Sequence, residues 1–177
     1  MVSDKELILK VVLVGDTGVG KTSITRRFVH GVFVEGYKGA DFTRISNREL
    51  DFGGRRISLS IFEIGGQEKF RFGENILYRG SDGIMLVFDI TSEESFEGLR
   101  DWFEQIRSSL SKDVPLILVG NKYDLASLRR VPKERAVDYA RSIRVDYLES
   151  SAKTGKNVIM AFYKLVEKIL STPKYRT

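Results

Sequence analysis

Apolar positions along the chain follow two alternating rhythms. Runs of four to eight apolar residues, suited to buried strands, alternate with stretches whose apolar residues recur at helical spacing. Leu7-Ile8-Leu9-Lys10-Val11-Val12-Leu13-Val14 predicts a mostly buried strand that ends at Gly15, and Thr22 to His30 predicts a helix. Residues 42–50 and 55–62 read as a hairpin around Gly53-Gly54, with Ile57, Leu59 and Ile61 alternating along its second arm. Ile84-Met85-Leu86-Val87-Phe88 and Leu116-Ile117-Leu118-Val119 suit parallel strands covered on both faces. Between them, Thr91-Ser92-Glu93-Glu94 has capping-box spacing and opens a helix carrying Phe96, Leu99, Phe103, Ile106 and Leu110. Pro132 fits the first turn of a helix running to about Ser142. A last helix places Val158, Phe162, Leu165, Val166 and Ile169 on one stripe and stops near Ser171-Thr172-Pro173. This is the order of βαβ units, and it predicts an α/β fold with a mostly parallel sheet. No repeat, low-complexity stretch or linker interrupts it, so residues 1–177 read as one domain of ordinary size.

Composition narrows the function classes. The chain is 42% hydrophobic and 30% charged, an ordinary balance for a soluble protein. No apolar run is long enough to span a bilayer, and the charged opening Met1-Val2-Ser3-Asp4-Lys5-Glu6 is unlike a signal peptide. A cytoplasmic protein follows as the expectation. Cysteine is absent, which excludes disulfides, thiolate metal sites, a cysteine nucleophile and prenylation of the chain as it stands. A lipid anchor would need a further tail, and membrane contact would otherwise come through a partner. The net charge is +5, but the pairs Arg26-Arg27, Arg55-Arg56 and Arg129-Arg130 lie in separate segments with no aromatic RNA motif beside them. Dispersed charge of this kind solvates a surface, so no nucleic-acid partner is expected. His30 has no Cys or His companion and reads as a surface residue.

Chemistry concentrates in three places. Gly15-Asp16-Thr17-Gly18-Val19-Gly20-Lys21-Thr22 satisfies the phosphate-loop pattern G-x-x-x-x-G-K-[ST], with the strand before it and the helix after it that the pattern requires. Its glycines allow a tight turn that aims successive N–H groups inward, ahead of a helix N-terminus. Lys21 would reach the β- and γ-phosphates, and the Thr22 hydroxyl would ligate Mg²⁺. Asn121-Lys122-Tyr123-Asp124 follows the strand at 116–119. A carboxylate there accepts from the N1–H and 2-amino groups of guanine, whereas adenine offers an acceptor and no 2-amino group. Such a site can reject the wrong base by roughly 10⁴–10⁵. Ser151-Ala152-Lys153 adds a second element on the base side.

With these elements in this order, the chain resembles a Ras-superfamily small GTPase over nearly its whole length. It is most similar to the Rab-like branch through Gly15–Thr22, Tyr37, Val87-Phe88-Asp89-Ile90-Thr91 and Glu149-Ser150-Ser151-Ala152-Lys153. The resemblance implies a G domain: a mostly parallel six-stranded sheet with one antiparallel edge strand and helices on both faces. It implies GTP or GDP and Mg²⁺ as ligands, held along Gly15–Thr22 and Ser23. Asn121 and Asp124 would read guanine, Lys122 would pack over the base, and Ala152 would meet its carbonyl between Ser151 and Lys153. Phe33 would set an aromatic ring against the base, although a core role suits the same residue.

Two segments depart from the family pattern. The second switch reads Glu63-Ile64-Gly65-Gly66-Gln67-Glu68, with a Gly-Gly-Gln similar to the Arf branch. Gln67 would orient the attacking water and the Gly66 N–H would sense the γ-phosphate. Glu63 replaces an aspartate near Mg²⁺. In the first switch, Tyr37-Lys38-Gly39-Ala40 puts alanine where the family has a metal-ligating threonine, unless a local slip presents Thr43. The implied activity is slow GTP hydrolysis by a monomeric switch. Its effectors, exchange factor and activating protein would bind at residues 33–45 and 63–78, where Phe70, Phe72 and Tyr78 suit either contact or core. A guanine-nucleotide scaffold with impaired switching is the alternative, and a P-loop kinase for a small metabolite is a more distant one.

Overall fold

In the computed structural model of the chain, residues 6–36, 44–65, 78–110 and 114–176 are described. Six strands form one sheet: β1 (Leu7–Val14), β2 (Arg44–Phe52), β3 (Arg55–Glu63), β4 (Gly83–Asp89), β5 (Leu116–Asn121) and β6 (Asp146–Glu149). Their spatial order is β2-β3-β1-β4-β5-β6. β2 pairs antiparallel with β3 at one edge, and every other pairing is parallel. The hairpin turn uses Gly53 and Gly54 at φ 60° and 79°, the doubly left-handed geometry that matches strand twist. The predicted mostly parallel sheet with one antiparallel edge strand is what the chain adopts.

Because β1 is central, both of its faces are covered, which explains its nearly unbroken apolar run. Leu9, Val11 and Leu13 face α1 (Lys21–His30) and, across the last helix, Phe162, Leu165 and Val166. Val12 and Val14 face the opposite layer, with Phe88, Leu99, Trp102 and Ile106. On the first side Phe28 stacks on Phe162, ring centroids 3.8 Å apart.

The segment after β4 differs from the single capped helix of the sequence reading. It forms α2 (Glu93–Glu97) and α3 (Leu99–Ser109), broken at Gly98. The cap is Ser92, whose hydroxyl accepts from the Ser95 N–H at 3.1 Å, one residue beyond the Thr91–Glu94 box. The restart turns Trp102 wholly inward, while Phe103 is only partly buried. Beyond β5, a 3₁₀ segment (Tyr123–Leu128) leads to α4 (Lys133–Ser142), with Pro132 as its cap residue, and α5 spans Val158–Leu170. No helix among the described residues is long and apolar enough to cross a membrane.

Candidate functional site

The carboxyl ends of the strands deliver their loops to one edge of the sheet: Gly15 after β1, Ile64 after β3, Asp89 closing β4, Lys122 after β5 and Ser150 after β6. β1 lies between β3 and β4, so the order of strands reverses beside Gly15. In open α/β sheets that reversal opens a ligand crevice. A cavity of about 300 Å³ occupies it, and its lining includes Thr17, Gly18 and Gly20 to Ser23 at one end. Asn121, Lys122, Asp124, Ala152 and Lys153 line the other end, and Phe33, Glu63 and Gly65 also contribute. The phosphate loop and both candidate base-side elements, from distant parts of the sequence, thus share one cavity.

At the phosphate end, two glycines are demanded by close approach. A Cβ at Gly15, where φ is 143°, would lie 2.1 Å from the Val87 carbonyl oxygen. One at Gly20, where φ is 98°, would lie 2.3 Å from Asn121 Nδ2. α1 begins directly after Gly20 with no side-chain cap and no acidic residue in its first turn. Its N–H groups and positive dipole end therefore face the cavity without a competing carboxylate of their own turn. The Lys21 ammonium, on a side chain buried to 8% exposure, donates to the Gly15 and Asp16 carbonyls at 2.5 and 2.9 Å. It supplies positive charge at the floor of the cavity.

Gly15, Asp16 and Val19 act from behind rather than lining the cavity. The Asp16 carboxylate turns away to accept from Trp102 Nε1 at 2.7 Å. Gly98 makes room for it, since a Cβ there would sit 2.6 Å from Asp16 Oδ2. The glycine between α2 and α3 is thus matched to the phosphate loop.

Thr22 Oγ1 donates to Glu63 Oε2 at 2.5 Å, bringing two oxygen donors together where the ends of α1 and β3 meet. Such hard oxygens suit Mg²⁺, which takes a few protein ligands and completes its octahedron with water and phosphate. No cluster of three or more His, Cys, Asp or Glu side chains that could hold a metal ion exists among the described residues.

At the base end, Asn121 is buried to 1% exposure and joins three segments. Its Nδ2 donates to the Val19 carbonyl at 2.9 Å, while its Oδ1 accepts from Ser150 Oγ at 3.2 Å and the Ala152 N–H at 3.3 Å. Asp124 accepts from Ser151 Oγ at 2.6 Å, which holds its carboxylate beside the loop at 151–153. Ser151 therefore positions Asp124 rather than lining the cavity. The Lys122 backbone is left-handed (φ 68°), and its ammonium pairs with Asp89 Oδ2 at 2.7 Å. Across the mouth, Lys153 Nζ meets Glu35 Oε1 at 2.9 Å. Phe33 lines the cavity and also packs against the core, so both of its readings meet at one place.

Several residues important here escaped the sequence reading. The arginine pairs were read as solvation, yet Arg27 donates to the Ala152 carbonyl from Nε and to the Lys153 carbonyl from Nη2. Arg129 forms a bidentate pair with Glu149 at 2.8 and 2.9 Å. That hydrogen bond holds the Arg129 guanidinium above its usual range. Burial alone would raise the Glu149 carboxyl, but hydrogen bonds from Arg129 and Tyr147 outweigh it and leave it below its ordinary value. Burial first, and then the bond to Glu149, pushes the Tyr147 phenol up. Trp102 belongs to no motif along the chain, and Asp89 carried part of the family resemblance without a stated partner. Partners distant in sequence tie these side chains to the site, beside local bonds such as that from the Thr91 hydroxyl to Asp89 Oδ1. Tyr78 is fully buried in the core, while Tyr37, Ala40, Thr43, Gly66, Gln67, Phe70 and Phe72 lie outside the described residues.

Fold and cavity together define a P-loop nucleotide-binding domain of the α/β class. The model of the Ras family matches residues 10–171. Ras-related protein Rab-30 of Homo sapiens is 36% identical over 174 residues, covering 98% of this chain and 86% of that protein. Rab-8A of Bos taurus is 41% identical over 172 residues, covering 96% and 82%. Rab-13 of Canis lupus familiaris is 39% identical over 163 residues, covering 92% and 80%. The chain belongs to the Ras family and is a small GTPase of Rab-like type.

Proposed function

We propose that the chain is a single-domain guanine-nucleotide switch that binds GTP or GDP together with Mg²⁺ and hydrolyses GTP slowly. The reading is carried by one observation: a single cavity has Thr17, Gly18 and Gly20 to Thr22 at one end and Asn121, Asp124 and Ala152 at the other. Backbone N–H groups from Gly18 to Ser23, with Lys21, would hold the phosphates. Asp124 would accept from the purine N1–H and 2-amino groups, the Ala152 N–H would meet the 6-carbonyl, and Lys122 and Phe33 would flank the ring. Mg²⁺, held by Thr22 and near Glu63, would neutralise phosphate charge.

In hydrolysis the residues mainly position and stabilise charge. Gln67 would orient the water for attack in line with the leaving oxygen, and the Gly66 N–H would meet the γ-phosphate. Lys21 would stabilise charge on the transferred group. No arginine within these motifs serves as a finger in cis, and such a group is worth roughly 10³–10⁵ in rate when a partner supplies it. Intrinsic turnover is therefore slow, and regulators and effectors would read residues 33–45 and 63–78. The chain would work as a cytoplasmic monomer that reaches a membrane surface through a partner or a further tail.

The test is to strip the chain of nucleotide and measure its affinity for GDP and ADP, then repeat with Asp124→Ala. Wild type should favour GDP by orders of magnitude, and the variant should lose most of that preference. Equal affinity of the wild type for the two bases refutes the guanine reading. Fast single-turnover GTP cleavage by the isolated chain refutes slow intrinsic hydrolysis. Ala40 favours the second reading, a scaffold with weak switching, because alanine supplies no side-chain ligand to a metal. Effector capture that is equal in the GDP and GTP states would select it.

A further inference from the structure

Lys122 stands between two fixed points of the backbone. Asn121 before it is buried and bonded to three segments, and the Tyr123 N–H after it donates to the Ser150 carbonyl at 3.0 Å. The Lys122 backbone is left-handed, at φ 68°, a conformation that a residue with a Cβ keeps only where its surroundings impose it. Its side chain lines the cavity and is 33% exposed, so an untethered ammonium would be free to swing into solvent.

The ammonium is instead held. It pairs with Asp89 Oδ2 at 2.7 Å, and that side chain is only 9% exposed. Oδ1 of the same carboxylate accepts from the Thr91 N–H at 2.8 Å and from the Thr91 hydroxyl at 2.7 Å. The Asp89 N–H donates to Ser95 Oγ at 3.0 Å, and the Asp89 carbonyl accepts from the Ser92 N–H at 3.0 Å. Asp89 closes β4 in register with Asn121 on β5, so the pair joins the ends of two neighbouring strands. The carboxylate is a rigid anchor. The stem of Lys122 therefore runs between a fixed backbone and a fixed nitrogen at the cavity wall.

We propose that Asp89 is a positioning residue for nucleotide binding: by anchoring the Lys122 ammonium, it holds the lysine stem ready to cover the face of a bound guanine. The inference rests on the guanine reading above and deepens it. A lysine stem is flexible and loses rotamer freedom when a ligand orders it. Anchored by Asp89, the stem gives up that freedom on folding instead of on binding, which is preorganisation. The pair also keeps the ammonium bonded when a ring lies over the stem, so no charge is desolvated without a partner. Contact with a ring face does not depend on the groups along the ring edge. Asp89 thus serves affinity, while Asp124 serves selectivity.

The test measures dissociation constants of nucleotide-free wild type, Asp89→Asn, Lys122→Met and the double variant for GDP and IDP, with ADP as control on the wild type. Asparagine keeps an acceptor for Thr91 but offers the lysine no charge, and methionine keeps an apolar stem without the ammonium. Each single variant should bind GDP about three- to tenfold more weakly, the cost of ordering one rotamer-rich side chain on binding. The double variant should be no weaker than either single one. IDP lacks only the 2-amino group, so the GDP/IDP ratio should keep its wild-type value throughout. Lys122→Met carries the test if Asp89→Asn does not fold, and wild-type affinity in that variant overturns the proposal. Losses that multiply in the double variant overturn it as well, because Asp89 would then serve only its own turn. A changed GDP/IDP ratio in Asp89→Asn puts its effect on the base edge and also overturns it. Wild type that fails to favour GDP over ADP removes the guanine reading instead, a failure seen before any variant is measured.

Discussion

Replacing Gly20 with alanine places a methyl group 2.3 Å from Asn121 Nδ2, in a residue whose φ is 98°. Two separate costs follow. The left-handed backbone strains any residue with a Cβ by about 1–2 kcal/mol. The methyl also drives Asn121 from its place, breaking its bonds to the Val19 carbonyl, Ser150 Oγ and the Ala152 N–H. At about 1 kcal/mol net for each hydrogen bond, that is about 3 kcal/mol. Gly20→Ala should therefore cost about 4–5 kcal/mol, and Asn121→Ala, which removes the same three bonds directly, about 3 kcal/mol. In the double variant the methyl finds no side chain to displace, so only the backbone strain adds to the loss of Asn121. Its cost should be about 4–5 kcal/mol instead of the additive 7–8, a coupling of about 3 kcal/mol. Urea unfolding followed by circular dichroism gives all four values. It must be done without nucleotide, because bound ligand adds its own mass-action stabilisation. Costs that add to within about 0.5 kcal/mol would show that Gly20 is not required by the approach of Asn121.

Trp102→Phe removes the indole donor to the Asp16 carboxylate, worth about 1.5–3 kcal/mol for a bond to a charged group, and should speed release of a fluorescent GDP analogue. A release rate equal to wild type would mean that Asp16 does not steady the phosphate loop. Glu149 has a depressed carboxyl pKa, so its contribution to stability is full above its unfolded value near 4.5 and fades as pH falls through the lower folded value. Glu149→Gln should flatten the acid limb of the stability–pH curve from about 5 downward, and an unchanged acid limb counts against the Arg129 pair as its source. Asp82 accepts from the Lys10 N–H at 2.8 Å, Lys174 Nζ at 2.7 Å and Tyr175 Oη at 2.5 Å, tying the residues after α5 to the start of β4. Asp82→Ala should lower Tm by about 2–12 °C, from about 1–3 kcal/mol of lost bonding at 2–4 °C per kcal/mol. A melt that does not move would leave this clasp without a role in stability.

Local pattern made most of the fold legible. The strand before Gly15, the glycine hairpin and the last helix follow from apolar periodicity and turn chemistry, which act over a few residues. The need for glycine at 98 was not legible, because its reason is the Asp16 carboxylate packed against it from a distant segment. A glycine inside an apolar stripe looks the same whether or not something occupies the space beside it. The phosphate loop and the candidate base-side elements were visible because each is written in consecutive residues.

By itself, the sequence determined which segments become strands and helices and which short motifs are candidates for phosphate and base chemistry. Propensity, periodicity and backbone N–H geometry are properties of neighbouring residues. Only the tertiary structure decided that these motifs share one cavity, that Asp16 serves Trp102 instead of the cavity, and that Arg27 and Arg129 are structural clamps instead of solvated charges. Those roles depend on which donor meets which acceptor once the sheet has ordered its strands. Such meetings span more than a hundred residues for Arg27 with Ala152 and for Asn121 with Val19. No periodicity along the chain encodes them.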